Sequence, residues 1–69
     1  MGVIHELMPG DIVVSTIRPQ GPRYVVKEVE PPQIGLKEDY RTATCTIEGN
    51  PDGLYHRWPL GLIKIVSDP

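Results

Sequence analysis

Leu54-Tyr55-His56-Arg57-Trp58-Pro59-Leu60-Gly61-Leu62-Ile63-Lys64-Ile65-Val66 decides how the rest of the chain is read. It holds the only Trp, and two runs in it read as extended backbone. Between them Pro59 removes a ladder donor and Gly61 interrupts the second run, so the reading is a strand over 54–58, one 3-10 turn, and a short closing strand over 62–66. Tyr55 and Trp58 have opposite parity in the first strand, so one ring faces out and the other in.

Upstream, Gly49-Asn50-Pro51-Asp52-Gly53 is a strong turn signal that makes a hairpin with residues 41–48. There Ala43, Cys45 and Ile47 alternate with Thr42, Thr44 and Thr46, the pattern of an antiparallel strand with one wet face. Pro31-Pro32 stops the strand before it, and residues 31–40, anchored only by Ile34 and Leu36, read as an irregular excursion. Residues 23–30 form a strand whose apolar spacing breaks strict alternation, which a bulge near Lys27 reconciles. Arg18-Pro19-Gln20-Gly21-Pro22 is a loop, and the β-branched run 12–17 behind Pro9-Gly10-Asp11 is the first strand. Val3, Ile4 and Leu7 read as a frayed turn or an added edge strand, and 67–69 as a tail. The fold class is all-β: five short strands, with closure into a small barrel favoured because it removes exposed edges.

A chain of 69 residues is one domain near the lower size for a self-sufficient core, and with 39% apolar residues and no Phe that core draws on Ile, Val, Leu and Trp58. Association with a protein partner or with itself would cover what a monomer leaves exposed. Seven basic against nine acidic residues give a net charge of −2, which argues against general duplex affinity. The lone Cys45 rules out an internal disulfide framework and points to a reducing, cytoplasmic setting, where it serves as a small buried hydrophobe. No apolar run reaches the roughly 20 residues of a membrane span, and no export signal is visible.

His56 is the best acid/base candidate, yet no partner for it can be read. A His5/His56 metal pair lacks a third ligand, and the glycines follow no phosphate-binding spacing, so neither metal nor cofactor is expected. Binding is the favoured chemistry. Tyr24, Tyr40, Tyr55, His56 and Arg57 are its candidates, led by Tyr55 and Arg57 on one outer face beside the 31–40 loop. Trp58 fits either core or groove. The alternative is a single-stranded nucleic-acid binder using Arg18, Arg23, Arg41 and Arg57 with Tyr55.

Gly10-Asp11-x-Val13, Tyr24-x-Val26-x-x-Val29, the Cys45 strand, and Trp58-Pro59-Leu60 leading to Leu62-x-Lys64-x-Val66 together resemble the SH3-like small barrels over residues 9–66. That resemblance implies a five-stranded barrel with a 3-10 turn before the last strand, and a fold that hosts many functions. One enzymatic branch, the plasmid-borne type II dihydrofolate reductases, has Gln-Ile-Tyr-Pro in a place similar to His56-Arg57-Trp58-Pro59. Only the proline is identical. This branch implies a tetrameric pore enzyme, the third reading beside the two binding modules.

Overall fold

A computed structural model describes residues 6–66. The expectations for Val3, Ile4 and His5 and for the tail 67–69 lie outside the described residues. Five strands follow in order: β1 (Ile12–Ser15), β2 (Arg23–Val29), β3 (Thr42–Ile47), β4 (His56–Pro59) and β5 (Ile63–Ile65). Two 3-10 turns, Glu38–Tyr40 and Leu60–Leu62, precede β3 and β5. All pairs are antiparallel, in the order β4-β3-β2-β1-β5.

Local chemistry sets each boundary. Pro9 and Gly10 occupy the corner of a turn in which Asp11 N–H donates to Met8 O at 3.1 Å, and Gly10 takes φ 97°, a conformation that costs a side-chain-bearing residue dearly. β1 stops at Ser15, two residues short of the run's apolar end, because the Ser15 hydroxyl accepts the Ile17 N–H at 3.1 Å and turns the chain out of the ladder. In β2 the pairing passes from Val26↔Cys45 to Glu28↔Thr44, leaving Lys27 as the extra residue of a bulge. The sequence had placed it there. Before the bulge, β2 is paired on both sides; beyond it, only with β3.

Val13, Tyr24, Val26, Ala43, Cys45 and Ile63 form the buried core, with Leu7, Val29, Trp58, Leu60 and Ile65 packed around it. The face of β3 expected to be wet departs from that pattern at one end. Thr42 and Thr44 are half-buried, but Thr46 is 1% exposed with its hydroxyl unpartnered, while Ile47, on the core parity, emerges to solvent where the strand ends. Among the described residues, pairing also stops short of a closed cylinder. β4 and β5 are the two edges of the sheet, and Pro59, which has no N–H, ends β4 as the chain winds through Leu60–Leu62 to the opposite edge.

The 31–40 excursion is irregular, as expected, but it is firmly held. Leu36 N–H donates to Gln33 O across a turn with Gly35 at φ 85°. The Arg41 guanidinium then donates to Glu30 O from Nε at 2.9 Å and from Nη2 at 2.7 Å, and to Glu38 Oε1 from Nη1 at 2.6 Å. One side chain thereby ties both ends of the loop together. Gly61 packs beneath it, where a Cβ would stand 2.9 Å from Asp39 Cβ, and Leu60 N–H donates to Arg41 O at 2.7 Å.

Candidate binding recess

The concave face of the sheet carries an aromatic cluster built from two strands that are not neighbours. Tyr24 lies on β2, while His56 and Trp58, two apart on β4 and therefore on one face, pair across from Cys45 and Ala43 of β3. On β3 the partner of Tyr24 is Ile47, so its ring reaches His56 and Trp58 diagonally across the face where Ala43 and Cys45 are small and fully buried. The Tyr24 ring stands 5.3 Å from that of His56 and 5.7 Å from that of Trp58, both tilted by about 60°, a favourable geometry for aromatic pairs.

Beside this cluster opens a recess of about 210 Å³ lined by Ser15, Arg18, Pro22, Tyr24 and Trp58. Its rim is fixed by a turn in which Gly21 N–H donates to Arg18 O at 2.8 Å, with Pro19 at the position where its locked φ is favourable. Gly21 suits that turn because a Cβ there would meet Arg18 O at 3.1 Å. Tyr24 is 7% exposed and Trp58 half-buried, so the two rings serve as core on one side and as wall on the other. That answers the choice between core and groove for Trp58: it is at the border of both.

The expected outer platform takes a different form. β4 begins at His56, which leaves Tyr55 in the preceding connection, 68% exposed. Arg57 does face outward, opposite Thr44, but it reaches toward Thr42, with Nη2 3.4 Å from Oγ1, in a polar niche shared with Glu28, Glu30 and Pro31. Tyr55 and Arg57 make no contact with each other among the described ring and hydrogen-bond interactions. Tyr40 is exposed on the 3-10 turn Glu38–Tyr40. His56 is on the inner face against Tyr24, not on the outer one.

The four arginines do not converge. Arg41 is withdrawn from solvent as the loop clasp, with three of its donors on Glu30 O and Glu38. Arg23 pairs with Glu48 at 3.4 Å, and Arg57 lies in its niche beside two glutamates. Arg18 is exposed at the recess, and its guanidinium has no ion pair or acceptor among the described residues. Sequence reasoning named Arg18 only for the nucleic-acid alternative, and it missed Pro22 and Ser15 as rim residues. Two prolines flanking a Gly-bearing turn next to an aromatic strand were the signal available.

Cys45 offers no nucleophile. It is fully buried, its Sγ 3.8 Å from Ala43 O, and burial pushes its thiol up from 9.0 to about 11. Two outcomes follow. A thiol reagent at neutral pH should label Cys45 only at the rate of unfolding, and labelling as fast as a free thiol would show the core to be open. Between pH 9 and 11 the unfolded chain releases a proton that the native thiol keeps, so stability falls as pH rises, by about 2–3 kcal/mol. The Cys45→Ala variant should lack that portion of the alkaline loss.

No group of three or more His, Cys, Asp or Glu side chains is placed to hold a metal among the described residues, and no helix there is long and apolar enough to cross a membrane. Compared with protein-family models, curated proteins and solved structures, the chain matches none.

Proposed function

We propose that this chain is a small non-enzymatic binding module of the SH3-like barrel type, which takes an extended segment of a partner protein into the Tyr24–Trp58 recess. The strand order, the bulge at Lys27 and the 3-10 turn before β5 support the barrel reading. Tyr24 and Trp58 add to it: their partners on β3, Ile47 and Ala43, are four positions apart, yet the rings stand 5.7 Å from each other, as coiling of the sheet would bring them.

The observation that carries the functional reading is the recess itself: an aromatic wall, a proline and an arginine at one concave spot. At about 210 Å³ it is smaller than the roughly 300–1,000 Å³ of pockets that enclose a whole cofactor or drug-sized ligand. It suits one or two anchoring side chains of a longer chain, the arrangement by which few residues dominate a protein contact. The nucleic-acid reading loses ground because its arginines are dispersed and mostly engaged. The pore-enzyme reading loses ground because His56 and Trp58 are used for packing inside the subunit.

Panning a library of extended dodecapeptides against the protein tests this. Selected peptides should bind with Kd in the micromolar range and at least about tenfold more weakly to Pro22→Asp, an exposed rim change that costs stability no more than about 0.5 kcal/mol. Equal binding to both proteins, with loss instead in Arg57→Ala, would move the site to the outer face.

A further inference from the structure

We infer that the occupant of the recess is a peptide segment bearing a carboxylate, seated with a ring or apolar side chain against Tyr24 and Trp58 and its acid group on Arg18. This rests on the recess being the binding site, and it adds the partner's charge. The recess presents donors and no acidic side chain. Arg18 is the only charged one of the described residues that line it, and among the described arginines it alone has no protein acceptor for its guanidinium. Ser15 contributes a second donor. Its Oγ accepts the Ile17 N–H while its own hydroxyl proton has no acceptor among the described residues, although the residue is 4% exposed.

A wall of two rings beside two unfilled donors selects an acceptor attached to something apolar. A carboxylate meets that need best, because a guanidinium presents a planar fork that matches its two oxygens. A single free cation on a chain of net charge −2 does not suit a polyphosphate backbone, which several separated cations would have to follow. It does suit one glutamate or aspartate of a partner protein.

The test is a ¹⁵N-correlation titration that follows the Trp58 indole N–H. Its probes are acetyl-Gly-Glu-Pro-Pro-Tyr-Gly-amide, the same peptide with Gln or Lys in place of Glu, and a ten-nucleotide oligothymidine. The Glu peptide should shift the indole signal, with the Gln and Lys peptides at least about tenfold weaker. Arg18→Ala should remove that preference while leaving Gln-peptide affinity unchanged, the signature of a pairwise interaction. Equal affinity for Glu and Gln peptides would overturn the charge assignment and leave the recess reading standing. No indole shift with any peptide would overturn both, and a shift produced by oligothymidine alone would replace them with a nucleic-acid site.

Discussion

Tyr24→Ala is expected to leave the chain largely unfolded at room temperature. Tyr24 is the pivot of the inner face: it pairs with Val13 and Ile47 in neighbouring strands and holds His56 and Trp58 against its ring. Removing a buried aromatic side chain costs about 3–5 kcal/mol. A domain of this length has roughly 3–10 kcal/mol in all. The β2 ring bridges two flanks of the sheet, so its loss also frees Trp58, and little of the core remains to collapse into the space. Tyr24→Phe, by contrast, keeps the ring contacts and should change stability by less than about 1 kcal/mol, since no described residue bonds its hydroxyl. Urea denaturation followed by Trp58 fluorescence separates the two. A Tyr24→Ala protein that melts within about 1 kcal/mol of the parent would show the aromatic cluster to be ornament on a core formed without it.

Arg41→Ala is the second large effect, with an expected loss of about 2–4 kcal/mol. The guanidinium is 6% exposed and supplies two donors to Glu30 O, so truncation leaves that carbonyl unpaired and both ends of the 31–40 loop untied. Glu38, the acidic partner, is 64% exposed, and Glu38→Gln should therefore cost no more than about 1 kcal/mol. Arg41→Lys should recover little, because an ammonium cannot reproduce the fork. Amide exchange gives the local reading. The Leu36, Tyr40 and Arg41 N–H groups, which bond within the loop, should lose protection in Arg41→Ala, while Val26 in the sheet keeps more of it. Equal costs for Arg41→Ala and Glu38→Gln would reduce the clasp to a surface ion pair.

Much of the architecture was legible because strand signals here are local. Pro31-Pro32, Gly49 and the β-branched run at 12–17 act within a few residues, and the broken alternation around Lys27 has one economical explanation. Strand ends were read less well. Ser15 ended β1 early through its own hydroxyl, a side-chain to backbone bond that outweighs propensity at a boundary, and Tyr55 fell outside β4, whose pairing with β3 starts at His56. The site was the least legible part. Trp58 read as core or groove and Tyr24 as a binding candidate, but that their rings meet across β3 is a fact of packing between segments over 30 residues apart. Arg41 illustrates the same limit. Its charge suggested solvent and anions, whereas the backbone carbonyl that captures it lies eleven positions away.

The two margins of the sheet that the described residues leave unpaired, β4 and β5, have a consequence for solubility at high concentration. Each margin is a ready template for a neighbour's backbone, the route by which β-proteins stack into fibrils. On one, Lys64 sits at the middle of a three-residue strand, exposed, so a copy aligned there would bring ammonium against ammonium. On the other, Pro59 withholds a donor and Arg57 adds charge. Lys64→Val would lift the first of these guards without touching the interior, turning a margin that repels its own kind into one that recruits it.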